Sequence, residues 1–316
     1  MPEDFVFLTD EATVANLNRL AREQGITEEQ RILELADLAD AALDAAARLS
    51  AEGLGAYELL SMVAEGLDFG SMRLHSDAYG ACVGSLGAYL TALGELDRAV
   101  FCDFLARGAI ERGLPLSERE LLYTSDAEPT FIYSRNAYAD EAYDVFSQDF
   151  DGARVKYGAS FAECVSAVCE GEVRFCLLPL EERGGVRLPT VSELIYRNDL
   201  KINSVTPVFG FDGNANLKYA LLSLDFTLPE ASEDDDRYLE IRVGADTSVS
   251  GLFSVLGYFG TSVYRVNTVT FDTEGEESSY FSIVVRDGGR GFAALLIYLA
   301  TFISDYTPVG VYKNLE

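Results

Sequence analysis

The strongest constraint on what this chain can fold into lies between Tyr157 and Glu182, a run reading YGASFAECVSAVCEGEVRFCLLPLEE. Ser160 and Glu163 stand three apart ahead of an apolar stretch, the signature of a capping box in which each side chain satisfies a backbone donor at a helix start. Phe161, Val165 and Val168 recur on one helical face, and Gly171 supplies a residue able to end the helix in the left-handed conformation. Val173 to Leu178 is then almost wholly apolar. This predicts a parallel strand covered on both faces, with Pro179 stopping it. Ligands of open α/β sheets sit just beyond the carboxyl ends of strands, so a site is expected at the run from Leu178 to Glu182.

The wording of this stretch resembles the prephenate dehydratase family, whose members carry a serine-phenylalanine helix start and then a strand ending in proline, an aliphatic residue, glutamate and asparagine. Phe131 to Ala142 (FIYSRNAYADEA) aligns with the family's opening strand and glycine-rich loop, and Leu200-Lys201-Ile202 with the short strand before its lobe crossover. From Asp236 onward the order strand, helix, strand, strand, helix, strand is similar to the ACT regulatory domain that follows the dehydratase domain. Its expected elements are Tyr238 to Val243, Val249 to Phe259, Val263 to Phe271, Ser279 to Val285, Phe292 to Phe302 and Pro308 to Tyr312.

The resemblance implies a fold class of α/β and α+β multidomain type. A helical region (1–125) holds the place of a chorismate mutase domain, a truncated periplasmic-binding-protein-like α/β lobe covers 128–228, and an ACT-like βαββαβ domain covers 236–316. In the helical region Thr27-Glu28-Glu29-Gln30 offers a capping box, and further helical blocks are expected from Ala78 to Leu90 and from Leu96 to Arg112. Acidic residues outnumber basic ones there by more than two to one and no lysine precedes Lys156, which opposes binding of a dianion such as chorismate. Arg31, Arg48, Arg98 and Arg107 are the remaining candidates for it.

Several family positions differ. The substrate loop, which the family builds from glycine, proline, an acidic residue, glycine, threonine, an aromatic and serine, reads here Tyr133 to Ala139 and keeps only the aromatic, Tyr138. Side chains therefore stand where bare backbone approached a ligand. Glu181 is retained, but Glu182 and Arg183 replace the asparagine and serine after it. A hairpin signal at Asp212-Gly213-Asn214 stands in place of a second lobe. Leu217-Lys218-Tyr219 takes the place of a threonine-arginine-phenylalanine motif, and lysine keeps the charge without the planar two-pronged grip. In the ACT-like segment Ser250-Gly251-Leu252 match an effector-binding helix start, while Asn267 and Thr268 stand where a second effector motif is lost.

The resemblance thus implies a prephenate-dehydratase-like protein of phenylalanine metabolism, catalytically degenerate and serving as a small-molecule-binding or regulatory component. The alternative is an active dehydratase, with or without an N-terminal mutase, in which Glu181 orients substrate and Lys218 binds a carboxylate. Candidate ligand-binding residues are Arg135, Asn136, Tyr138, Ser160, Phe161, Ser250, Gly251, Leu252, Asn267 and Thr268. Plainer roles compete: an exposed ion pair for Glu181 and Lys218, a helix cap for Ser160, core packing for Tyr138 and Phe161.

Composition sets the outer bounds. A net charge of −28 excludes nucleic acid and anionic membrane as partners, because like charge repels both. A prephenate-like molecule or an aromatic amino acid is the expected ligand, and a second copy docked through the ACT-like domain the expected partner. Five scattered cysteines without CxxC spacing and a single histidine, His75, suggest neither disulfides nor a metal site. No leader and no membrane-spanning apolar run is read, which makes cytoplasmic the expected location and no cofactor the expected requirement.

Overall fold

The computed structural model describes residues 27–50, 53–66, 90, 93–122, 124, 128–182, 185–210, 217–229, 236–273 and 276–313. The expected Ala78-to-Leu90 helix, apart from Leu90, lies outside them, as do His75, Cys82, Arg183 and the Asp212-Gly213-Asn214 turn. The elements begin with α1 (Glu28–Ser50), α2 (Ala56–Gly66), α3 (Glu95–Arg112) and α4 (Glu118–Leu121). Next come β1 (Thr130–Tyr133), α5 (Ala137–Phe146), β2 (Arg154–Tyr157), α6 (Phe161–Cys169), β3 (Phe175–Glu182), β4 (Val186–Arg187), α7 (Pro189–Arg197), β5 (Lys201–Val208) and β6 (Leu217–Ser223). The chain closes with β7 (Arg237–Gly244), α8 (Val249–Tyr258), β8 (Ser262–Thr273), β9 (Glu276–Arg286), α9 (Ala293–Phe302) and β10 (Tyr306–Lys313).

Two compact units result. One takes Met1–Leu121, Val243–Val263 and Asp287–Tyr306, the other Leu122–Arg242, Tyr264–Arg286 and Thr307–Glu316. These units cut across the expected segments, since 236–316 gives helices to the first and most of its strand residues to the second.

The first unit is helical. The Thr27 hydroxyl accepts from the Gln30 amide at 3.2 Å while the Gln30 side chain accepts from the Thr27 amide at 3.1 Å, closing the expected capping box at α1. Helix α3 buries Leu96, Ala99, Val100, Phe101, Cys102 and Leu105 and so is covered nearly all round, as suits a helix packed against α1, α8 and α9 at once. Gly113 ends α3 in the left-handed conformation, its amide bonded back to the last turn. Arg31 of α1 donates from Nε to Asp97 Oδ1 at 2.8 Å, and both side chains are buried. Burial pushes the Asp97 carboxyl above its ordinary value, and the Arg31 hydrogen bond and charge oppose that rise.

The second unit is a mixed sheet in the order β2-β1-β3-β6-β5-β10-β7-β9-β8, with β4 paired to β3. Strands β2, β1 and β3 run parallel, joined through α5 and α6. Because strand side chains alternate between faces, Phe131, Tyr133, Phe175 and Leu177 pack with α5. Ile132, Cys176 and Leu178 face the other way, onto Val165 and Val168 of α6 and Val191 and Ile195 of α7.

Two strand expectations are corrected. β3 runs on to Glu182 instead of stopping at Pro179, and only one side of it is parallel, since β6 pairs with the other side antiparallel. Pro179 is carried at a register shift between Pro179 and Glu181, a bulge that tolerates a residue without an N–H. Strands β5 and β6 pair antiparallel, with Val208 opposite Leu217.

The six elements expected after residue 236 occur in that order. Their strands do not form a sheet of their own, because β10 pairs parallel with β5, Gly310 opposite Ile202. A Cβ on Gly310 would stand 2.7 Å from the Ile202 Cβ and 2.9 Å from its carbonyl oxygen, so this seam requires glycine. The continuous sheet then places β8 residues against β3, although the two lie far apart in the strand order, so the sheet must coil back on itself.

Candidate functional site

Glu181 and Lys218 are directly paired across β3 and β6. The β3–β4 pairing sets Arg187 opposite Glu181. From that register a buried charge cluster follows, all of it within the second unit. Glu181 Oε1 receives the Arg265 Nη1 donor at 2.5 Å and lies 3.2 Å from Arg187 Nε. Arg187 reaches on through Nη2 to Glu240 Oε2 at 2.6 Å.

Glu240, on β7, also accepts from Tyr196, Ser282 and Tyr312 hydroxyls, each at 3.2 Å. Glu240 is thus fully supplied with donors, which is what a buried carboxylate demands. Glu181 is only 4% exposed, and its Oε2 is buried with no partner among the described residues. Glu181 is therefore not the exposed ion pair that was one expectation for it. The bulge at Pro179 keeps the residue inside the sheet, where β4 and β8 cover it.

The cluster's electrostatics follow from this arrangement. Burial alone would lower the Arg187 guanidinium, but Glu240 and, to smaller extents, Tyr312, Tyr196 and Glu181 raise it above its ordinary value. The Tyr312 and Tyr196 hydroxyls are raised by burial and then by the Glu240 charge. At Arg265 burial works downward and is the largest single influence, and the hydrogen bond to Glu181, the Glu181 charge and, to a smaller extent, Tyr312 together raise it above its ordinary value.

Beside the cluster lies a small pocket. Leu180, Val205, Tyr238, Tyr264 and Tyr312 supply its walls, and Glu181, Lys218 and Arg265 its charges. Its volume is about 20 Å³, room for one or two waters. Tyr238 meets Tyr264 edge-on with centroids 5.1 Å apart, and the Arg265 guanidinium lies 5.6 Å from the Tyr264 ring centre.

The other expected site residues lie elsewhere. Asn136 caps α5, accepting from the Tyr138 and Ala139 amides at 3.0 Å. Arg135 lies over the Tyr157 ring and 3.6 Å from Asp140. Tyr138 packs on Gly210. Ser160 caps α6 at 3.2 Å from the Glu163 amide, and the Glu163 carboxylate accepts from the Ala159 amide one residue earlier than a capping box requires. Phe161 packs against the core.

In the first unit Ser250 is exposed and Ser248 makes the α8 cap, while Gly251 is buried with the Glu95 carboxylate filling the space a side chain would need. Leu252 is buried. On β8 Asn267 is partly buried and Thr268 exposed. Of the four candidates for a mutase site, Arg31, Arg98 and Arg107 are engaged by Asp97, the Leu90 carbonyl and Asp103, and Arg48 is exposed near the end of α1.

Arg187, Glu240, Arg265 and the tyrosines were not among the expected site residues. Glu240 had only a faint signal, a carboxylate flanked by Leu239 and Ile241 in a strand that also carries Arg237 and Arg242, and carboxylates are almost never fully buried unless paired. Arg265 had none, because an arginine in a long half-exposed strand reads as a solvent-facing charge. Among the described residues no group of three or more His, Cys, Asp or Glu side chains is arranged to hold a metal ion, and no helix is long and apolar enough to cross a membrane.

No protein-family model matches the chain, and comparison with curated proteins found no significant match. Among solved structures, the X-ray structure of prephenate dehydratase from Streptococcus mutans is similar with a TM-score of 0.48 and 13% identity, over 60% of this chain and 100% of that one. Prephenate dehydratase from Arthrobacter aurescens, solved in complex with L-Phe, gives 0.40 and 14% over 58% and 89% of the two chains. GqqA, described as a novel type of quorum quenching acylases, gives 0.43 and 20% over 60% and 97%. These stand as likenesses in chain path alone.

Proposed function

We propose that this chain is a prephenate-dehydratase-like protein of aromatic amino-acid metabolism that binds a small molecule without converting it. One observation carries the non-catalytic part of this reading: Glu181, the one glutamate kept from the family's strand-end motif, is held by Arg187 and Arg265 inside the sheet. Loss of hydroxyl and carboxylate from prephenate needs two substrate carboxylates bound and an acid placed in a closed, water-poor cleft. Ligand pockets typically enclose about 300–1,000 Å³, and the space beside Glu181 is about 20 Å³. In this reading 1–125, 128–228 and 236–316 are segments of helical, dehydratase-like and ACT-like origin, the second lobe is lost to the β5–β6 hairpin, and a second copy docks through the ACT-like strands.

The active alternative draws on the direct pairing of Glu181 with Lys218. Formation of phenylpyruvate from prephenate by the purified chain separates the two. The expected result is no turnover from folded protein. Turnover that both Glu181→Gln and Lys218→Ala abolish would overturn the non-catalytic reading.

A further inference from the structure

The mixed sheet ends at β2 on one side and β8 on the other. A terminal strand leaves a row of N–H and C=O groups open to any further strand, and soluble proteins blunt such an edge by shortness and by charge, lysine above all. β2 follows that rule. It has four residues, and Arg154 and Lys156 stand exposed on it. β8 departs from it, running for twelve residues with neither lysine nor proline. Arg265 is the one charged residue between Thr247 and Phe271 in a chain 24% charged, and its guanidinium is turned onto Glu181. Beyond Arg265 the strand alternates: Val266, Thr268 and Thr270 are exposed, while Asn267 and Val269 are partly buried. The exposed row is β-branched throughout, and side chains of that kind pair well across strands. Among the described residues β9 is the one strand bonded to β8.

We propose that β8 pairs edge to edge and antiparallel with β8 of a second copy, so that the two sheets continue into one across a twofold axis. Charge selects a second copy as the occupant. At −28 each, two chains repel over most of their surface, and the run from Val266 to Thr270 adds no charge to that repulsion. Interface cores are depleted in charge in the same way. A basic partner would instead be drawn to the acidic surface elsewhere and away from this uncharged edge. Antiparallel pairing of identical strands is its own complement, since residue i meets j and j meets i. It also closes at two copies, because each β8 edge is used up and the outer ends of the joined sheet are then the short, charged β2 strands. This deepens the proposed docking of a second copy by naming the strand that carries it, and rests on that docking alone, not on the loss of catalysis.

The test is sedimentation velocity of the full chain across the micromolar range, joined to hydrogen exchange at low and high protein concentration. A reversible monomer–dimer equilibrium is expected. The double variant Val266→Lys, Thr268→Lys sets like charges face to face across the axis and should raise the dimer Kd about a hundredfold or more. Both positions are exposed, so the variant should fold as the parent does. Ile110→Lys, at a residue 68% exposed on α3, should leave the equilibrium unchanged. In the parent the β8 amides should exchange more slowly as concentration rises, while the β2 amides keep one rate.

A monomer at every concentration would overturn this inference together with the docking it rests on. A dimer that the lysine pair leaves intact, or one that Ile110→Lys weakens equally, would overturn this inference and leave docking to another surface. The exchange measurement needs no variant and stays decisive should the lysine pair fail to fold: β8 amides with one rate at all concentrations overturn the pairing. Assembly that grows beyond the dimer would overturn its closure. Prephenate turnover would overturn the non-catalytic reading and leave the β8 pairing standing.

Discussion

Glu240→Gln tests whether the charge cluster is a structural core of the second unit. The amide has nearly the shape of the carboxylate, so packing is unchanged and the loss is electrostatic. Its oxygen can still accept from Arg187 and Tyr312, and its NH2 can donate to the Tyr196 and Ser282 hydroxyls, which accept as readily as they donate. Among the described residues Arg187 then keeps only Glu181 as a counter-charge. Breaking a buried ion pair costs about 3–5 kcal/mol, and because the hydrogen bonds are replaced we place Glu240→Gln near the lower figure, about 3 kcal/mol. Glu240→Leu removes the acceptor altogether; Tyr196 and Ser282 can still bond to each other, so the added loss is that of one or two hydrogen bonds at about 1 kcal/mol each, and it should exceed Glu240→Gln by roughly 1–2 kcal/mol. Native-state hydrogen exchange of the β3 and β7 amides reads the second unit by itself. Protection within about 0.5 kcal/mol of the parent in Glu240→Gln would refute the reasoning, for it would mean that water already screens the cluster.

Two further outcomes follow from the same physics. In the first unit Asp97→Asn removes the carboxylate charge that faces buried Arg31 and should cost about 3 kcal/mol in urea unfolding of the full chain. An unaltered midpoint would show that Arg31 swings out to water. The raised hydroxyls of Tyr196 and Tyr312 contribute stability that is complete below their ordinary value near pH 10 and is lost as pH rises toward their folded values. Stability should therefore fall above about pH 10, by up to about 1.4 kcal/mol per pH unit for each residue. Tyr196→Phe should flatten that slope in pH-dependent unfolding, and an unchanged slope would remove Tyr196 from the cluster.

Local chemistry made much of the fold readable. Thr27 with Gln30, Ser160 with Glu163, and Gly171 at the end of α6 are short-range devices, and each lies at a helix end where the sequence pattern put it. The pairing of Glu181 with Lys218 was approached through the motif positions. The remainder is non-local. Nothing near Ile202 signals that Gly310 will lie beside it, and without that seam Glu240, Tyr312 and Arg265 have no reason to be near Glu181. Pro179 misled for a physical reason: it ends a regular strand, but a bulge admits it and carries the strand on to Glu182.

The seam also decides whether the middle of the chain can stand alone. A fragment of residues 128–228 keeps β1 to β6 and α5 to α7 but loses β10, which borders β5 in the intact sheet. It loses Val309 and Tyr312 from the core on that face, and burying such side chains is worth about 1.5–3 kcal/mol each. It also leaves Arg187 without Glu240 and Glu181 without Arg265, a break on the scale of a buried pair at about 3–5 kcal/mol. Together these losses reach roughly 6–11 kcal/mol, comparable with the whole stability of a domain, about 5–15 kcal/mol. The fragment should therefore show no cooperative urea transition by far-UV circular dichroism and should associate through the exposed β5 edge. A monomeric fragment with a sharp transition would show that the C-terminal strands merely rest against a sheet that folds without them, and the charge cluster would then be a consequence of the contact and not its cause.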